Sequence, residues 1–135
     1  MGSGTEEGTA GDGMPVALAA AGAGGTITVP SGQPVTLQDV IWNEPGPMGL
    51  TFRFRFVAPE IAPGGAVDAE TASADMAALC KDFALPRIDP HGPQPAQVII
   101  SLSDRPVPFG EVEPDVTQFF EAYRIENGAC IWEMF

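Results

Sequence analysis

The chain has 135 residues, 44% of them hydrophobic, and 18 acidic against 6 basic residues give it a formal net charge of -12. That length fits one domain with a single modest core, and the acidic balance disfavours nucleic acid and anionic membrane surfaces, which both require a basic face. The 16 glycines and 14 prolines predict many turns and few long helices, and no apolar run approaches the roughly 20 residues of a membrane span, so no membrane insertion is expected.

Residues 1–25 contain glycines, three acids and no aromatic residue, a composition that cannot bury enough apolar surface to offset the entropy of ordering. They are read as a disordered tail, leaving residues 26–135 as a single domain. The stretch "MPVALAAAGAGG", 14–25, resembles the end of a secretory signal, yet no Lys or Arg precedes it and its apolar run is short. No intact signal peptide is read there. The opening "MGSG" has the look of an expression remnant, which leaves room for a native leader upstream.

From Thr26, "TITVPSGQPVTLQDVIW" predicts a short edge strand, a turn, and a second short element reaching Trp42. "NEPGPMG", 43–49, is read as a loop. "TFRFRFV", 51–57, is a strand with Phe52, Phe54 and Phe56 on one face and Arg53 and Arg55 on the other. Two prolines and two glycines in 58–65 end it.

The segment 67–85 is the one clear helix. Asp68 is placed to cap it, Glu70 lies in its first turn, and Lys81 lies near its other end. Ala72, Met76, Leu79, Cys80 and Phe83 fall on one stripe, and Pro86 is expected to stop the element. After a proline-bearing loop, "AQVIISLSD", 96–104, reads as a strand, and 105–115 returns to loop with three prolines and several acids.

The closing segment 117–135 contains Asn127-Gly128, the strongest hairpin signal in the sequence. A two-residue turn there sets Glu126 opposite Ala129, Ile125 opposite Cys130, Tyr123 opposite Trp132 and Glu121 opposite Met134. The side with Tyr123, Ile125, Cys130, Trp132 and Met134 is nearly all apolar and is expected beneath the helix. The resulting fold class is α+β: an antiparallel sheet of about four strands, one helix packed on one face, and a C-terminal β-hairpin.

Two separate periodicities, helical for Cys80 and strand for Cys130, point both sulfurs into one core layer. A disulfide between them is the main inference, and two buried thiols are the alternative. Neither a CxxC motif nor a zinc spacing is present, so no metal and no cofactor is expected. The bond would stabilise the fold by on the order of 4 kcal/mol and would place the protein in an oxidising compartment, periplasmic or secreted.

Little in the sequence carries chemistry. His91 is the sole histidine, and a small hydrolase or lyase would have to use it with Asp89 or Asp104. No nucleophile elbow or phosphate loop accompanies it. A redox role for Cys80 and Cys130 is disfavoured by their burial. The candidate binding face is instead Arg53, Arg55, Arg124, Phe120 and Phe135, since arginine mixed with aromatics is typical of interaction hot spots. Glu133 or Glu121 is expected to pair with these arginines across strands.

The blocks "VPSGQPVTLQDVIW", "LTFRFRFVAPEIA", "DMAALCKDFALPRI", "QVIISLSDRPVPFG" and "FFEAYRIENGACIWEMF" together resemble a family of small alphaproteobacterial proteins, chiefly marine, without an established activity. The resemblance runs from about Thr26 to Phe135. It implies export and carries over no catalytic residue. An acetolactate synthase label borne by some members finds no support, because the chain is far too short for a thiamine-diphosphate enzyme and lacks its cofactor motif. The expected function is a non-catalytic, exported binding or interaction module for an unidentified protein or small molecule.

Overall fold

The computed structural model describes residues 25–46, 49–111 and 113–133. The tail expected over 1–25 therefore lies, except for Gly25, outside the described residues, as do Met134 and Phe135. Strands β1 (Thr36–Gly46), β2 (Gly49–Val57), β3 (Gln97–Ser103), β4 (Gln118–Glu126) and β5 (Ala129–Glu133) form one sheet in the order β1-β2-β3-β4-β5. β1·β2, β3·β4 and β4·β5 are antiparallel, whereas β2·β3 is parallel, with Phe54 opposite Ile100.

The α+β class, the helix and the terminal hairpin are as expected, but the sheet has five strands and is not antiparallel throughout. The physical reason is that side-chain alternation is identical in parallel and antiparallel strands. What fixes the direction of β3 is the crossover before it, since a helix between two neighbouring strands returns the chain to the starting edge.

Two further expectations are corrected. The edge strand anticipated from Thr26 does not form, because Pro30 and Pro34 lack the N–H groups a ladder needs. Residues 26–35 are instead irregular, closed by the Ile27 N–H donating to the Val35 carbonyl at 2.7 Å. The loop expected over 43–49 is mostly strand: β1 continues to Gly46, which pairs with Gly49.

One face of the sheet is the core. Phe52, Phe54 and Phe56 of β2, Val98, Ile100 and Leu102 of β3, and Tyr123 of β4 are at most 3% exposed, each such burial contributing roughly 1.5–3 kcal/mol. Phe83 of the helix meets Phe56 and Phe54 edge-on, with ring centroids 5.4 and 6.4 Å apart, and Trp42 does the same to Phe52 at 5.0 Å. Burial, joined by the negative charge of Glu121, pushes the Tyr123 hydroxyl well above the usual tyrosine range.

Helix α1 (Ala69–Leu79) starts where Asp68 accepts the Thr71 N–H at 2.8 Å, and that bond holds the Asp68 carboxyl below the usual range. Ala72, Met76, Leu79, Cys80 and Phe83, the stripe read from the sequence, are all buried. Pro86 does not stop the element. The chain passes through a π turn (Cys80–Ala84) into a last helical turn (Leu85–Arg87), and the wider turn admits a residue that lacks an N–H and crowds the preceding carbonyls. Arg87 then donates to the Phe83 carbonyl at 3.0 Å, its guanidinium 3.6 Å from the Phe83 ring centroid.

The buried Asp75 fastens the irregular N-terminal segment to α1. Its carboxylate accepts the Ser31 N–H at 3.0 Å, the Ser31 hydroxyl at 2.6 Å and the Gln33 amide at 2.7 Å, as a buried charge requires.

Asn127 and Gly128 adopt positive φ, 52° and 76°, in the hairpin turn. The pairs Glu126–Ala129, Ile125–Cys130 and Tyr123–Trp132 match the predicted register. Tyr123 is buried and Ile125 and Cys130 pack on the core, but Trp132 is 54% exposed. It lies on the edge strand, where its indole N–H donates to Glu121. A disulfide joins Cys80 in the π turn to Cys130 in β5, with Cα atoms 6.3 Å apart.

This crosslink spans a sequence separation of 50 residues. Reducing it, or making the Cys80→Ala/Cys130→Ala double variant, is expected to lower unfolding free energy by about 2–4 kcal/mol. Urea denaturation of the two forms measures the difference, and equal midpoints would remove the crosslink from the account of stability.

Candidate functional site

The second face of the sheet carries Arg53 and Arg55 from β2, Ile99 and Ser101 from β3, Gln118, Phe120 and Arg124 from β4, and Ile131 and Glu133 from β5. These positions alternate with the core residues on every strand. The sequence places Arg53 and Arg55 on an uncovered face, but half of that face has a roof. The loop between β3 and β4 folds back over β2, burying Val107 and setting Phe109 above the arginines.

Arg55 is the fastener. It is 8% exposed; its Nη1 donates to both carboxylate oxygens of Asp39 on β1, at 2.8 and 3.1 Å, and its Nη2 donates to the Val107 carbonyl at 2.5 Å. One guanidinium fork thus ties an edge strand, a central strand and the roof. Gln38 adds a second tie, its amide nitrogen donating to the Val107 carbonyl at 2.7 Å and its oxygen accepting the Val107 N–H at 3.4 Å. Arg55 is therefore corrected from a projecting contact residue to the buried floor of the site.

Under the roof lies a cleft of about 100 Å³. Arg53, Arg55 and Ser101 form its base, and Phe109 and Phe120 stand at its sides. The Phe109 ring centroid is 5.3 Å from the Arg55 guanidinium and 5.9 Å from that of Arg53, an attractive geometry for a cation over a ring face. Phe109 and Phe120 are 47% and 51% exposed.

Arg124 lies further along the same face, 3.3 Å from Glu126 and 3.8 Å from Glu133. The expected Glu133 pair is present, whereas Glu121 is on the helix side, held by Trp132 and by the Ser73 hydroxyl at 3.3 Å. Of the five candidate binding residues, Arg53, Arg55 and Phe120 meet in the cleft, Arg124 stands apart, and Phe135 falls outside the described residues.

Phe109 is the cleft-lining residue that the sequence did not disclose. Its signal was a lone aromatic in the proline-rich loop 105–115, where a solvated loop has no use for one. His91 occupies the exposed turn 89–92, its backbone N–H donating to Asp89 Oδ1 at 2.8 Å. The Asp104 carboxylate faces Arg105 at 3.3 Å. Among the described residues no group of three His, Cys, Asp or Glu side chains is placed to hold a metal ion.

The fold and cleft define a small α+β domain with one disulfide and an arginine-floored, aromatic-walled groove. The chain belongs to the family of unknown function DUF6497, whose pattern matches residues 12–135. Neither the curated proteins nor the solved structures contain a match.

Burial raises the Asp39 carboxyl above its ordinary value of 3.8, outweighing the attraction of Arg55. A carboxyl raised in the folded state binds its proton more tightly there, so its contribution to stability grows as pH falls through the window just above 3.8. The stability difference between the unsubstituted protein and Asp39→Asn is therefore expected to move in favour of the unsubstituted protein on acidification through that window. Movement the other way, measured by denaturation at stepped pH, would mean that attraction to Arg55 dominates.

Proposed function

We propose that the chain is an exported, non-catalytic protein-interaction module that docks through the face bearing Arg53, Phe109, Phe120 and Arg124. The observation that carries this reading is the cleft itself: two half-exposed phenylalanines beside arginine, on a base made rigid by Arg55. Aromatic and arginine side chains set against a firm support are what dominate binding energy at protein interfaces.

Size favours a protein partner over a small molecule. Pockets for drug-sized ligands measure roughly 300–1,000 Å³, whereas this cleft holds about 100 Å³, room for one inserted side chain.

Export is supported by the Cys80–Cys130 disulfide, since such crosslinks persist in oxidising compartments. No helix among the described residues is long and apolar enough to cross a membrane.

Two experiments test the reading. A photo-crosslinking residue at Phe120 is expected to trap a discrete protein adduct in cells of the source organism, and one at Ala74 on the exposed side of α1 is not; equal labelling at both sites removes the docking face. Alkylation of the protein in intact cells, before and after reductant, is expected to reveal two thiols only after reduction. Free thiols without reductant would place the protein in a reducing compartment.

A further inference from the structure

The two edges of the sheet are built differently. β1 has register shifts between Leu37 and Asp39 and between Ile41 and Glu44, carries Pro45 near its end, and is tied through Gln38 to the roof loop. These are devices by which natural edge strands refuse further pairing. β5 lacks the proline, the register shifts and the loop tie, and what guards it is its five-residue length and the charge of Glu133 at its end. Among the described residues its only strand neighbour is β4.

The phase of the hairpin decides which groups this edge offers. In a two-residue hairpin the pair flanking the turn, here Glu126 and Ala129, exchanges both backbone hydrogen bonds, and bonded and non-bonded pairs alternate from there. Cys130 and Trp132 fall in the non-bonded phase. Their N–H and C=O groups therefore point away from β4, along the open edge.

We propose that β5 pairs antiparallel with β5 of a second copy of the chain, about a two-fold axis at Ile131. In that register Cys130 of each copy faces Trp132 of the other. Both residues are in the outward phase, so each such pair exchanges both of its hydrogen bonds. A register shifted by one residue would set outward groups against inward ones.

The side chains agree with this register. Trp132, 54% exposed, shares the helix side with Cys130, and in this register it stands directly opposite the partly exposed Cys130 of the second copy while its indole N–H keeps its bond to Glu121. On the other side Ile131 meets its own image, and Glu133 meets Ala129, so no like charges stand directly opposite. A strand that complements itself in this way selects a second copy, because one two-fold axis satisfies both edges at once. With that axis perpendicular to the sheet, both clefts face the same way. Resting on the docking role proposed above, the dimer engages its partner at two points, which strengthens binding without any new contact.

Sedimentation equilibrium of the oxidised full chain tests the pairing. A five-residue strand contact is smaller than a standard interface, so association is expected to be weak and to rise with protein concentration. The mass is expected to rise from 14.1 kDa toward twice that value. Because each copy carries a net charge of -12, added salt is expected to strengthen the dimer. Trp132→Pro deletes an outward N–H without touching the β4 ladder and is expected to abolish it. Trp132→Ala, which keeps the backbone donor and serves if far-UV circular dichroism shows the proline variant to lose its hairpin, is expected to weaken it about tenfold or more. A mass that stays monomeric, a dimer that both Trp132 variants retain, or one that salt dissolves overturns the proposal.

Discussion

The constraint on which the rest of the structure depends is the parallel pairing of β2 and β3. Antiparallel neighbours can be joined by a tight turn, but parallel ones need a crossover long enough to bring the chain back. The residues between Val57 and Gln97 are therefore obliged to traverse one face of the sheet, and α1 is the part of that traverse with an apolar stripe. The phenylalanine row of β2 finds its cover there. Once the helix lies on that face, Cys80 is carried over the hairpin and Asp75 is brought to the Ser31 turn.

The same constraint explains why the other face needs separate cover. A crossover protects one side only, yet β3 is buried along nearly its whole length, with Ile99, Ser101 and Ser103 on the side away from the helix at most 5% exposed. Part of that cover is a loop held at Val107, whose carbonyl accepts from Arg55 and Gln38 and whose N–H donates to Gln38. A roof of this kind buries little apolar surface of its own, so its position depends on Arg55 and Gln38 keeping their partners. Removing Asp39, whose side chain is 33% exposed, would strand the nearly buried Arg55 guanidinium directly beneath the cleft.

What was legible in the sequence was whatever rests on short-range periodicity. The stripe from Ala72 to Phe83 and the hairpin register from Asn127-Gly128 each follow from counting residues along one element, and the meeting of the two sulfurs follows from combining those two counts. What was not legible depends on elements far apart in the chain. Nothing in the alternation of "TFRFRFV" distinguishes an arginine under a roof from one in water, since the roof arrives from residues some fifty positions later. The helix could be drawn as far as Pro86, but the π turn that carries it past that proline answers to local packing. Trp132 was assigned to the covered side correctly as to face and wrongly as to burial, because face is set by parity, whereas a residue on an edge strand has a strand neighbour on one side alone among the described residues.

The arginines sit where fixed local partners hold them. Arg55 grips Asp39 and the roof, Arg87 stacks on Phe83, Arg105 reaches Asp104 and the Asp115 carbonyl, and Arg124 lies between Glu126 and Glu133. In a chain so rich in carboxylates a cation is drawn to fixed local partners, and the planar fork of arginine can meet two acceptors and an aromatic ring at once where the point charge of lysine cannot. This accounts for two arginines side by side on β2. Arg55 is the inner member, turned into a fastener by its bond to the Val107 carbonyl of the loop that carries Phe109. Arg53 shares the Phe109 ring from the outer position, at the base of the cleft. The groove is thus a by-product of fastening: the contacts that hold the roof down also set an aromatic pair and a guanidinium around a space the size of one side chain.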